Sequence, residues 1–279
     1  MDILDKLPRG ASLDHVIQDL ISRRAVLSRT GENSLALTGQ LQAGAILRDL
    51  LDRHSGPLPP RTIVQIWSDI LFVPDREASL HVFGRENAPG FWDLARIHFG
   101  CVMPMTSHGS AAAVVHACAD DPAAIGIVPV PESVEDEQAW WEQLAPVGSS
   151  GPRIAQSLPF VLEDGGLVPL PRGYAIASIE QEAVGTDTTI LRFECEGELS
   201  RTRLQTLLRQ AGFDSQILSA SRGTPGGVPS RVLVANTGYV AANDERITSI
   251  ASLASDAIAS VAIVGGFANP YDAAPAAKV

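Results

Sequence analysis

The last hundred residues limit the possible folds most, because their apolar stretches fall in the order strand, helix, strand, strand, helix, strand. Strands are expected at 188–195, 215–221, 231–240 and 261–267, and helices at 201–211 and 244–259. The loop GTPGGVP precedes the third strand. A βαββαβ order closes into the ferredoxin-like split βαβ unit, with both helices on one face of an antiparallel sheet. The tail AAPAAKV lies beyond it and is expected to fray.

The middle of the chain has a different rhythm. Residues 79–83, 103–106 and 124–130 read as short strands, and 91–99 and 110–119 as helices. Strands that are apolar throughout, such as AIGIVPV, alternating with helices imply a parallel sheet covered on both faces. The stretch 131–166 is acidic and reads as irregular, with Trp140 and Trp141 its strongest apolar feature.

The first 75 residues read as three helices. Ser12 is the expected N-cap of the first, which carries Leu13, Val16, Ile17, Leu20, Ile21 and Leu27. The second carries Leu47, Leu50 and Leu51 and stops at His54-Ser55-Gly56, where Pro57, Pro59 and Pro60 forbid continuation. The third places Ile63, Ile66, Trp67, Ile70 and Leu71 on one stripe and ends at Pro74. Three such helices make a thin bundle, so a homodimer is expected to complete the core.

Composition narrows the function. A net charge of −11 argues against nucleic acid or an anionic membrane as the main partner. No apolar run reaches the roughly 18 residues that span a bilayer, and the charged start MDILDKLPRG does not resemble a signal peptide, so a cytoplasmic protein is expected. Cys101, Cys118 and Cys195 are scattered and form no metal motif, and the six histidines show no ligand spacing. Dinucleotide, Walker, HExxH and GxSxG motifs are all missing. The only lysines are Lys6 and Lys278, so arginine must supply any fixed cation inside the fold. Arg23 and Arg24 stand at the edge of the first helix's apolar stripe, where a guanidinium can hold a carboxylate bidentately.

Several segments resemble one enzyme family. IQDLISRRAVLSRTGE followed by AILRDLLDRHSGPLPPRTIVQIWSDI is similar to the all-helical chorismate mutase domain. VFGRENAPGFWDLARIHFG and AIGIVPVPES resemble the first lobe of prephenate dehydratase. The tail, with SASRG and VAIVGGFANP, resembles the ACT domain. That order is the one found in bifunctional chorismate mutase–prephenate dehydratases. The resemblance implies a multidomain protein, α then α/β then α+β: a chorismate mutase-like three-helix bundle at 1–75, a truncated dehydratase-like parallel-sheet lobe at 76–185, and an ACT-like ferredoxin-like βαββαβ domain at 186–270.

The resemblance also implies an activity, the rearrangement of chorismate to prephenate in phenylalanine and tyrosine biosynthesis. No cofactor or metal is implied, since that pericyclic step needs only conformational selection and cationic stabilisation. Arg23 falls on the family's carboxylate-binding arginine, while the family's lysine falls near Asn33-Ser34 and its Arg-Glu pair on Gln42-Ala43. Arg29 and Arg48 are the candidate substitute cations. Gly197, Leu199, Ser221 and Arg222 fall on the loops that bind phenylalanine in the family. Dehydratase activity is not expected, because 40 positions between Ser133 and Gly173 cannot build a second lobe and the family's catalytic threonine falls on Arg172. A non-catalytic metabolite sensor on the same scaffold is the alternative.

Overall fold

The computed structural model describes residues 13–30, 43–71, 78–85, 90–131, 139–162, 170–196, 200–223, 229–254 and 257–272, with the backbone alone at 13, 24–30 and 43. Ser12, Pro74 and the tail after 272 lie outside these residues. Helix α1 (Leu13–Thr30) does not enter a bundle: its side chains at 14–23 are exposed apart from a half-buried Val16. Ile17, Leu20 and Ile21 are 46%, 55% and 38% exposed. The stripe they form is narrow, flanked by Asp14, Gln18, Asp19, Ser22 and Arg23, and offers little area to bury.

Helices α2 (Ala43–Arg53) and α3 (Pro60–Leu71) pack on each other, burying Leu47 and Leu51 against Ile63, Val64 and Leu71. The inward face of α3 is turned from the expected stripe. Ser68 is buried, whereas Ile66 is 45% exposed. The turn follows from what α3 meets: it lies on α4 (Phe91–Phe99), not on α1. The expected three-helix bundle is therefore two helices laid over an α/β layer.

That layer starts as expected. Strand β1 (Ser79–Phe83) pairs in parallel with β2 (Met105–His108) and β3 (Ala124–Pro129). Between them run α4 and α5 (Ala111–Asp120), the latter capped by Ser110, whose hydroxyl accepts from Ala113 N. Gly126 leaves room for Val114 and Cys118 of α5, and Gly173 for Phe91 and Leu94 of α4, which places the two helices on opposite faces.

The two pairings next to β3 are antiparallel. Strand β4 (Arg153–Leu158) pairs antiparallel with β6 (Gly173–Ala177), and β6 antiparallel with β3. The supposedly irregular stretch thus holds a 3-10 turn (Trp140–Gln143), β4 and β5 (Val161–Leu162). Strand β4 hides in the sequence because it buries polar Arg153 and Gln156 at inward positions, which erases the apolar alternation.

The remaining elements are β7 (Asp187–Cys195), α6 (Arg201–Gln210), β8 (Ser215–Ser221), β9 (Ser230–Thr237), α7 (Glu245–Leu253) and β10 (Ile258–Ala268). Helix α7 is shorter than the expected 244–259, because β10 already begins at Ile258. The strands lie in the order β10-β7-β9-β8 with every pair antiparallel, the arrangement that βαββαβ connectivity predicts. A short β11 (Tyr271–Asp272) pairs with β5.

Strand β10 also pairs with β4, at Gly265↔Ile154, so one sheet of nine strands runs through the described residues in the order β2-β1-β3-β6-β4-β10-β7-β9-β8. Leu191, Phe193 and Val234 form one core with residues of α6 and α7. The opposite face is covered by the Trp140–Gln143 turn. Arg192 Nη1 donates to the carbonyls of Glu142 (2.8 Å) and Leu144 (2.9 Å), and Arg231 bridges the carboxylates of Glu142 and Glu194. Among the described residues no helix is long and apolar enough to cross a membrane.

Candidate functional site

The strand order β2-β1-β3 reverses direction at β1, and in open α/β sheets ligands sit outside the carboxyl ends of the strands at such a switch. Two helix amino ends meet this rim. Helix α4 begins after Gly90, which is left-handed (φ 98°) and provides no side-chain cap to the first N–H groups of the helix. A side chain at Gly90 would run into Pro171. Helix α5 begins after Gly109 and Ser110.

Two guanidiniums stand on the rim. Arg85 donates Nε to the Gly109 carbonyl (2.8 Å) and lies over the Phe83 ring, 5.7 Å from its centroid. Arg172, next to Pro171, is exposed, and its carbonyl accepts from Val130 N. Burial pushes the Tyr174 phenol up to about 12, with the Arg172 charge pulling the other way. In a chain of net charge −11, this is a locally cationic edge suited to a carboxylate.

Below the rim, parallel register brings His81 and His108 onto one face of β1 and β2. His81 Nδ1 and His108 Nε2 are 2.8 Å apart, and Ser79 Oγ is 3.3 Å from His81 Nε2. Burial, then the neighbouring His108, lowers the pKa of His81 against the pull of Asp121. In the sequence no spacing links His81 to His108, and His116, the histidine nearest to His108 along the chain, is exposed on α5. Only the strand register reveals the true partner.

A third histidine is sealed inside. His98 of α4 is 2% exposed, its Nε2 lies 3.0 Å from Gln156 Oε1, and burial lowers its pKa to about 4 from 6.5. The folded state excludes a proton that the unfolded chain takes up below pH 6.5, so stability falls as pH drops from 6.5 towards 4. Over that interval the loss is about 3 kcal/mol. Denaturant midpoints measured across the range should decline, and the His98 ring resonances should stay unshifted until pH nears 4. A His98 midpoint near 6.5 would contradict the burial.

The residues singled out from the sequence are not brought together. Arg23 is exposed on α1, paired with Asp19 at 2.8 Å. The Arg29 side chain lies outside the described residues, as do Gly197 and Leu199. Arg48 is on α2, over the Phe160 ring and hydrogen-bonded through Nη2 to the Asn269 carbonyl. Ser221 ends the edge strand β8 opposite Arg231, and Arg222 follows it, exposed. No catalytic cluster forms around any of them among the described residues.

No family model matches the chain, and no curated protein matches it. Among solved structures it is similar to the quorum-quenching acylase GqqA at 14% identity, covering 70% of this chain and 96% of that one, with a TM-score of 0.46. It is similar to prephenate dehydratase from Streptococcus mutans at 12% identity, covering 70% and 99%, with a TM-score of 0.43. The prephenate dehydratase of Arthrobacter aurescens in complex with L-Phe gives 12% identity, 68% and 90% coverage, and a TM-score of 0.47. Likenesses this slight carry neither an activity nor a ligand across.

Proposed function

We propose that the protein is a non-catalytic metabolite-binding protein, whose cationic rim takes a carboxylate-bearing ligand of aromatic amino acid metabolism. One observation supports this over a mutase: Arg23, the arginine meant to hold substrate, stands in solvent and is paired with Asp19. Rearranging chorismate demands an enclosed cationic site, and an exposed guanidinium in water gives little of the required stabilisation. The rim offers binding without chemistry, through two helix amino ends and the Arg85 and Arg172 guanidiniums. The sequence resemblance makes prephenate and L-phenylalanine the first ligands to try. Titration calorimetry should give saturable binding of one of them, weakened about tenfold or more by Arg172→Ala through the loss of one charged hydrogen-bonding group. Unchanged affinity in Arg172→Ala would move the ligand away from the rim.

A second reading keeps the mutase and rests on Ile17, Leu20 and Ile21, exposed within two turns of Arg23. A partner copy pairing α1 with α1 buries that stripe and encloses Arg23. Light scattering should then give a mass near twice 29.5 kDa, and Leu20→Glu should halve it. A monomer at micromolar concentration contradicts this reading and leaves the first untouched.

A further inference from the structure

The register of β1 and β2 sets His81 and His108 edge to edge. Their Nδ1 and Nε2 atoms are 2.8 Å apart, while the ring centroids are 5.0 Å apart and the ring planes meet at 42°. Both rings are half-buried. His81 pairs in register with Gly126, whose added Cβ would meet Val114 and Cys118, so the two histidines lie on the face that α5 covers.

One proton joins the two nitrogens, and each ring keeps a second nitrogen that can carry a proton instead. Ser79 Oγ lies 3.3 Å from His81 Nε2, so a proton on Nε2 has an acceptor and Nδ1 turns its lone pair towards His108. When the His108 proton passes from Nε2 to Nδ1, two lone pairs converge. A metal ion holding two imidazole nitrogens at about 2.0–2.1 Å in tetrahedral geometry sets them about 3.3 Å apart. Starting from 2.8 Å, the pair has to open by about half an ångström. Strand β2 is the edge of the sheet, and a Cβ on Gly109, next to His108, would meet nothing within 4 Å, so there is room for that shift. The Ser79 contact is the kind of outer hydrogen bond that orients a ligating histidine. Asp121, just past α5, adds its negative field at His81, in a chain of net charge −11. Among the described residues no third histidine, cysteine or carboxylate joins the two in a metal-holding group, so water fills the other positions.

We propose that His81 Nδ1 and His108 Nε2 form a two-point site for an imidazole-seeking divalent metal ion such as zinc, with its remaining positions open to water. The ion takes the place of the shared proton, which moves to His108 Nδ1. The probe is zinc chloride, added to uniformly ¹⁵N-labelled full-length protein, with magnesium chloride as the control and the histidine ring nitrogens as the signal. Zinc should shift the His81 and His108 rings together along one saturable curve, while magnesium, which prefers oxygen ligands, should shift neither. His81→Gln and His108→Gln should each raise the zinc concentration needed to shift the remaining ring by about tenfold or more, because the second contact is no longer intramolecular. His116→Gln, which removes an exposed histidine of α5, should leave the response of the two rings as in wild type. Two wild-type rings titrating at separate midpoints, shifts that fail to saturate at millimolar zinc, or a remaining ring that responds in either variant as it does in wild type would each overturn the proposal.

Discussion

Gly265→Ala is expected to destabilise the protein by about 4 kcal/mol or more, among the largest losses a single methyl group can cause. Gly265 adopts φ 135°, a conformation that side chains rarely take, and a Cβ there would enter the backbone of Ile154. Neither backbone can yield, because Gly265↔Ile154 is the register pair through which β10 joins β4 and the sheet continues. Gly148→Ala is the control: its φ is 85°, but nothing lies within 4 Å of the added carbon, so it should cost only the left-handed strain of about 1–2 kcal/mol. Denaturant melts of the two variants measure the difference. Equal losses would mean that the strands are not in close contact at this joint.

Trp141→Ala should cost about 3–5 kcal/mol, the usual range for emptying a fully buried indole. Trp141, Trp140 and Leu144 are 0%, 3% and 2% exposed, and the turn that carries them covers the sheet face opposite α6 and α7. Against a typical stability of 5–15 kcal/mol, that loss leaves a marginal protein. Trp141→Phe separates the possible causes. The indole Nε1 has no hydrogen-bond partner among the described residues, so losing it sacrifices no bond, and the phenyl ring retains most of the buried area. Thermal melts should rank wild type and Trp141→Phe close together and Trp141→Ala far below. If Trp141→Phe were as damaging as Trp141→Ala, the indole N–H would be contributing a bond that this packing lacks.

What was legible in the sequence depended on whether burial and polarity agreed locally. Strand β1 and helix α4 fall at 79–83 and 91–99 as expected, because each carries an unmixed period between glycines or prolines. The βαββαβ segment was readable for the same reason: Leu204, Leu207 and Leu208 mark one helix face, and β7 alternates from Leu191 to Cys195. Strand β4 was not, since Arg153 is buried only to donate to the carbonyls of Ile179, Pro146 and Ser149 and to Glu180, contacts that no local pattern announces. Helix α1 shows the opposite error. Its stripe is real, but nothing among the described residues covers it, and periodicity cannot say what a face will meet.

The candidate site was less legible than the fold. Arg23 and Arg48 were chosen for their charge on helices, and they lie on separate elements with separate partners, Asp19 for one and the Asn269 carbonyl for the other. The residues that do converge, Arg85 with Gly109, His81 with His108, and Gln156 with His98, are 24, 27 and 58 positions apart and meet only in the folded chain, the first two through the pairing of β1 with β2 and the third where helix α4 lies on the sheet. Charge and spacing along a chain do not encode such contacts. Pairing across strands does.

Ligand-observed NMR of chorismate and prephenate, with the intact protein at micromolar concentration and a protein-free blank beside it, tests the central claim most directly. A binding protein with an exposed Arg23 should give saturation transfer to prephenate while chorismate decays no faster than in the blank. Prephenate resonances growing from chorismate well above the blank, and lost in Arg23→Ala, would contradict it and identify a mutase.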